Sequence, residues 1–447
     1  MRGPVAAGEQ SALRRVAIVL AALAGAALAL WIGFIALLAL VLSLTSDAHI
    51  IANLQQASER GTLSHQSYPM SFFGHNDHRF DMYSDCVALG INLGNESDGV
   101  LHRIAASPTA THEDGSGPCV EFNAALRSGA VVADQGYLRF WHGYQAYFRV
   151  LLSLAPFDVM MRITAMLFFA SLVFFAIEIE RLFGAWAWAI ALVPFFALSD
   201  FLTAPMVATH ALSLAWAFAS ASLTPLIIRR VREPERLALP LFAFAAGATY
   251  NFLNFLVNPP LAPALIAFFY IAAQDRSTPN KAWRAALYGG LLAALFFAGF
   301  FTAWVEKWLT AAAVLGPDAL QAELTRIFGK YDATRVRLEV NFLGATRRNL
   351  IPAWNPWFFA YILAAGAVAC AMLAVLIRKS GSLAERVTAF AAMCSPLVFV
   401  VGWVELARAH SAEHSGFVSR SFLLFGIFPL LAVLKLWREG RLTLRRA

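Results

Sequence analysis

VAIVLAALAGAALALWIGFIALLALVLSL, residues 16 to 44, runs for 29 residues without a charged side chain. A helix needs roughly 20 mostly apolar residues to cross the hydrocarbon core of a bilayer, so this stretch predicts a spanning helix. Arg2, Arg14 and Arg15 precede it and predict a cytoplasmic N-terminus. A basic start also suits a secretory signal, but the run is longer than a signal's apolar region. No small-residue cleavage site follows it, so the reading is a retained span.

Further apolar runs lie near 158–178, 184–201, 205–228, 237–256, 259–274, 284–311, 357–377, 387–405 and 417–436. The connectors Arg229–Arg236, Asp275–Arg284, Arg378–Arg386 and Lys435–Arg446 carry 15 of the 35 Lys and Arg residues. Alternating from a cytoplasmic start puts each of these connectors inside, as basic loops prefer. The expectation is an all-α polytopic protein of the cell (inner or plasma) membrane. It has about ten transmembrane helices, both termini in the cytoplasm, and outward loops with interfacial helices. The short turns near Arg181 and Asp200 leave a re-entrant pair as the alternative there. The chain divides into 1–45 (tail and first span), 46–156 (outward loop) and 157–447 (helix bundle with an outward loop at 316–354).

Composition agrees with this class. Hydrophobic residues make up 59% and charged residues 14%, against roughly 25% charge in a soluble domain. The net charge of +7 comes from clusters between apolar runs, so membrane lipids are expected partners and nucleic acid is not.

The chemistry is expected outside the spans. Asp47 to Glu59 can form a short amphipathic helix, and 61–77 reads as loop. Asp81-Met82-Tyr83-Ser84-Asp85 places two carboxylates four residues apart, on one face if helical. They serve as an acid–base pair, or they cap and hydrogen-bond the loop. Cys86 and Cys119 form a disulfide pair in an oxidising compartment; two free thiols are the other reading. No Cys-x-x-Cys or His-Glu-x-x-His pattern indicates zinc.

Residues 137–156, YLRFWHGYQAYFRVLLSLAP, carry aromatics at helical spacing together with Arg139, His142 and Arg149. This predicts an interfacial helix, as a plain aromatic anchor or as a binder of a lipid-linked phosphate. Arginines crowd the 316–354 loop, including Arg347 and Arg348, on the side where positive charge is disfavoured. Either an anionic partner or internal ion pairing explains them. The last outward loop holds Arg408, His410, Glu413 and His414, with Arg420 just beyond. Arg420 snorkels, or it joins a functional cluster. His410-x-x-x-His414 is the one spacing that suits a divalent cation, with no clear third ligand.

On Asp81–Asp85, Arg139-Phe140-Trp141-His142-Gly143-Tyr144 and His410 through Arg420, the chain resembles the GT-C glycosyltransferases. It is also similar to bacterial multi-spanning envelope proteins that share Trp-His-Gly-Tyr and His-Ser…His…Arg patterns. The architectural likeness covers nearly the whole chain, while the motifs are short. It implies an inverting transfer, needing no nucleotide or other cofactor, from a polyprenyl-phosphate sugar to an envelope glycan, lipid or protein acceptor. A carboxylate would act as base: Asp85 with Asp81, or Asp47, which stands nearer the family's usual place after the first span. Arg139, His142, His410, His414 and Arg420 would meet the donor phosphate, with Arg347 and Arg348 in reserve. A transporter or flippase for a lipid-linked or amphipathic solute is the alternative. It would place ionisable groups within spans, where His210, Glu178 and Glu306 are the candidates.

Overall fold

The computed structural model describes residues 4–63, 68–72, 75–80, 82–94, 96–110, 117–131, 133, 135–253, 257–352, 355–380 and 382–444. The described chain is a polytopic all-α membrane protein with seven helices long and apolar enough to cross a bilayer. Two short antiparallel ladders, Tyr68–Phe72 with His75–Phe80 and Pro108–Thr109 with Gln135–Gly136, lie in the segment after the first span.

Helix α1 (Pro4–Leu44) leads into a segment that folds as α2 (Asp47–Glu59), α3 (Met82–Gly90), α4 (Val100–Ala106), α5 (Pro118–Ser128) and α6 (Tyr144–Leu154). Helices α2, α3, α5 and α6 share an apolar core built around Leu54, Cys86, Phe122, Tyr144 and Phe148, while Ile104 of α4 packs with α1 and the helix that carries Phe252. The expected interfacial helix over 137–156 forms only from Tyr144. Before it, His142 adopts a left-handed backbone, φ 55°, which ends any helix upstream.

The bundle continues with α7 (Phe157–Phe183), α8 (Ala187–Leu198), α9 (Ala208–Arg230), α10 (Ala238–Leu253), α11 (Leu261–Ala273) and α12 (Pro279–Leu315). An arm of α13 (Pro317–Arg337) and α14 (Gly344–Leu350) leads to α15 (Pro356–Ser380), α16 (Leu383–Cys394) and α17 (Leu397–Leu406). After the short α18 (Arg408–Glu413) and α19 (Ser415–Val418), a 3-10 turn at Ser419–Leu423 opens α20 (Leu424–Leu444).

Seven of the ten apolar runs become full spans; α8, α10 and α11, with 12, 16 and 13 residues, are shorter. The core of the bundle encloses α11, almost all of whose residues are buried. Helices α10 and α12 touch backbone to backbone. A Cβ on Gly247 would stand 1.8 Å from the Phe296 carbonyl oxygen, and one on Gly299 2.0 Å from that of Phe244. Small residues at such crossings are how helices pack where lipid is the solvent.

Polar contacts collect at the two ends of the bundle. At one end Glu178 pairs with Arg181 and Arg229 at 2.7 and 2.8 Å, Arg276 with Glu439 at 2.7 Å, and Tyr270 bonds Glu235 at 2.9 Å. The other end carries the segment of α2 to α6.

Candidate functional site

Asp47 opens α2 and is buried. Its carboxylate accepts from Gly94 N at 3.0 Å, from Arg103 Nη2 at 2.9 and 3.0 Å, and from Arg149 Nη2. Both guanidinium groups also donate to the Asn92 carbonyl, and Arg149 Nε reaches Thr45 Oγ1 at 2.9 Å. One carboxylate thus ties the end of α1 to α2, α4 and α6. Both oxygens are engaged, so Asp47 is the centre of a buried ion cluster.

Cys86 and Cys119 form a disulfide that joins α3 to α5, with Cα atoms 5.1 Å apart. Beside it Asp85 is fully buried and caps a distant helix. Its carboxylate accepts from Ala208 N at 2.7 Å, Thr209 N at 3.0 Å and Thr209 Oγ1 at 2.8 Å. These amides open α9, where no residue of the local sequence supplies a side-chain cap. Burial pushes the Asp85 carboxyl above its ordinary range, against those hydrogen bonds and the nearby His210. Asp81 lies outside the described residues.

The Trp-His-Gly-Tyr stretch is a packed corner. The Trp141 indole donates to the Ala303 carbonyl at 2.6 Å, and Gly143 N to the Phe252 carbonyl at 2.7 Å. His142 is buried, with Nε2 donating to the Tyr137 carbonyl at 3.0 Å and Nδ1 accepting from Tyr144 Oη at 2.7 Å. A carbonyl can only accept, which fixes this tautomer. Burial, with the charges of Lys307 and Arg139, lowers the imidazole to about 3, so it is neutral. A neutral ring with both nitrogens engaged brings no charge to a phosphate. Arg139 sits over the Tyr137 and Phe140 rings, with Nε 3.9 Å from Glu323 of α13.

The loop of α18 and α19 packs against α9. The rings of His410 and His414 lie 4.5 Å apart, His414 stacks on Phe417 at 5.1 Å, and Phe417 meets His210 edge-on at 5.4 Å. Arg420, fully buried, occupies the turn that follows, and its neighbour Ser421 donates to Asn258 at the start of α11. Around this patch α14 is held by Glu405, which accepts from Thr346 N at 2.9 Å, and by Asn349 Nδ2 donating to Ser411 O at 2.9 Å. Arg337 pairs with Glu413 at 2.9 Å, and Arg326 binds Glu323 with two contacts of 2.8 Å, so part of the outward arginine cluster is internally paired. Arg347 and Arg348 are exposed on α14.

One patch therefore gathers Asp85, Thr209, His210, Asn258, His410, His414 and Arg420. Asp47, Arg139 and His142 belong to neighbouring packed centres, and Arg347 and Arg348 to its outer rim. Sequence reading weighed His210 only as a mid-span group; its place three residues into α9, beside a capping acid, had no local signal. Lys307 was not singled out. Its ammonium reaches the Ala105 carbonyl and Ser107 Oγ, both at 2.9 Å, at the C-terminal end of α4. Among the described residues no three His, Cys, Asp or Glu side chains are grouped as a metal ion would need.

Compared with known proteins, the chain matches no family model, no curated protein and no solved structure.

Proposed function

We propose that this chain is a membrane glycosyltransferase of the GT-C kind. It would move a sugar from a polyprenyl-phosphate donor to an envelope glycan, lipid or protein acceptor on the outward face of the cell membrane. The observation that carries this reading is the convergence of Asp85, His210 and the His410–Arg420 loop from three distant segments. Burying such groups costs free energy that apolar side chains in the same place would not, and ionisable groups embedded in a membrane protein mark chemistry by default.

Ten crossings with both termini in the cytoplasm complete the proposal. Each short helix runs between contacts at opposite ends. Helix α10 starts beside Glu235 and ends at the Phe252–Gly143 bond; α11 starts at Asn258–Ser421 and ends near Arg276–Glu439. Helix α8 follows Glu180, which accepts from Trp186 N, and ends where Asn355 holds the Leu198 carbonyl. Helix α11, enclosed by protein, need not satisfy the lipid-spanning length itself.

In this reading Arg420, His414 and His410 meet the donor phosphate, where a guanidinium fork and imidazoles offset the charge that develops as the phosphate leaves. Asp85 is the base, its burial raising its proton affinity. The acceptor hydroxyl takes the place of Thr209 Oγ1 at the carboxylate and passes its proton there. Its oxygen bonds the anomeric carbon as the carbon–phosphate-oxygen bond breaks, with inversion. Asp81 is the second carboxylate of the same stretch.

The test is transfer from a panel of polyprenyl-phosphate sugars by the purified protein in nanodiscs. Inverted product is expected, with turnover reduced about 10²–10⁴-fold in Asp85→Asn and the acidic limb of the pH profile lost. No transfer across the panel, with solute uptake in proteoliposomes, would favour the transporter or flippase.

A further inference from the structure

The wall that α1 and α12 present to lipid is not closed. A groove of about 470 Å³ lies between them, lined by Ala27, Leu28 and Trp31 on one side and Phe301, Val305 and Glu306 on the other. Its rim is lipid-facing: Leu28, Ile32, Val305 and Leu309 are exposed apolar side chains on helices that span. The volume falls within the few hundred to about 1,000 Å³ typical of ligand sites.

Its walls are held in place. The Trp31 indole donates to Thr310 Oγ1 at 2.9 Å, and the Thr310 hydroxyl donates to the Glu306 carbonyl at 2.8 Å. Glu306 itself is only 5% exposed, and its Oε2 has no hydrogen-bond partner among the described residues. No Arg or Lys lines the groove, and the adjacent Lys307 spends its ammonium on the end of α4. A carboxylate this desolvated and unpaired is costly to retain. Nothing in the packing of α1 on α12 calls for it, since an apolar side chain would fill the position.

We propose that this groove is a binding site for a membrane amphiphile whose apolar chain lies along α1 and α12 and whose primary ammonium end donates to Glu306. Charge complementarity selects the head: a carboxylate flanked by apolar walls favours a cation that brings its own donors. The open side facing lipid selects the tail, since a ligand can enter sideways from the bilayer. The site is separate from the Asp85–His210–His414 patch, and its test reads binding alone, so its failure and the failure of glycosyl transfer are independent results.

The experiment uses full-length protein in phosphatidylcholine nanodiscs. The probes are a photoreactive long-chain primary ammonium and its uncharged alcohol analogue, with labelled peptides mapped by mass spectrometry. The ammonium probe should label residues 27–31 and 301–309 about tenfold more than the alcohol. Glu306→Gln should lower its labelling by a similar factor without lowering the unfolding midpoint, because no partner is lost. Leu28→Trp, which fills the mouth and leaves the carboxylate in place, should also lower labelling. Equal labelling by the two probes, even labelling over all lipid-facing helices, or no response to either variant overturns the proposal.

Discussion

Replacing Asp47 with Asn separates a structural role from a catalytic one at the carboxylate that follows the first span. The carboxylate lies between two guanidinium groups, with side-chain exposures of 3% for Asp47, 4% for Arg103 and 2% for Arg149. Asp47→Asn leaves both cations buried without it. Breaking one buried pair costs about 3–5 kcal/mol, and here two pairs share the lost charge. Glu96, which accepts from Asp47 N, softens the effect, so about 4 kcal/mol is expected, a large part of a stability that rarely exceeds about 15 kcal/mol. Arg149→Gln should cost less, about 1–3 kcal/mol, since it leaves Asp47 balanced by Arg103. The double variant should fall short of the sum by about 1–3 kcal/mol. Denaturant titration in detergent, followed by tryptophan fluorescence, gives the ordering, and transfer is assayed in parallel. An Asp47→Asn protein with the wild-type midpoint and no turnover would refute the ion-centre argument and return the base to Asp47.

His142 is neutral in the fold at a pKa of about 3 and titrates near 6.5 when unfolded. As pH falls below about 6.5 the unfolded chain gains a proton that the native one refuses. Stability should therefore drop by up to about 1.4 kcal/mol per pH unit, a slope that His142→Gln flattens in acid unfolding. Gly143→Ala puts a Cβ 2.2 Å from the Phe252 ring, which cannot yield because it stacks on Phe34 at 4.0 Å. A loss of about 1–3 kcal/mol is expected in the same titration. Arg420→Lys keeps the charge and removes the planar fork, so it should depress kcat more than donor affinity. Near-normal kinetics for both Arg420→Lys and Arg420→Ala would make it an anchor only.

What the sequence made legible is what short-range pattern carries. The long charge-free runs read correctly as membrane helices, because length and apolarity act locally. Helix α2 begins at the expected Asp47, and Cys86 meets Cys119. Contacts across the fold were hidden. Asp85 caps a helix 123 residues further on, and Arg103 completes the Asp47 centre from a segment with no periodic signal. The 137–143 stretch has aromatics at helical spacing yet does not form helix there, since its side chains are committed to α10 and α12 through Trp141 and Gly143. Tertiary contacts overrode the local period. The three short apolar helices had the composition of spans without the length; after α8, 3-10 turns at Asp200–Leu202 and Ala204–Met206 break the apolar run.

The placement of the ionisable groups bears on enzyme against transporter. A transport path calls for such groups partway along the spans, facing an interior route that both membrane faces reach in turn. Glu178 is buried, but Arg181 and Arg229 hold it at the end of the bundle opposite the outward segment. His210 stands at the other end, in the first turn of a helix that Asp85 caps. Glu306 faces the lipid side, between α1 and α12, away from the enclosed core around α11. Each of the three groups a carrier would use is thus accounted for by an end of the bundle or by its outer wall. Glu178–Arg229 and Arg276–Glu439 close that opposite end as ion pairs, whereas Asp85, His210, His414 and Arg420 gather at the end that carries α2 to α6, where the proposed donor would present its phosphate. That distribution supports chemistry at one membrane face over passage between two.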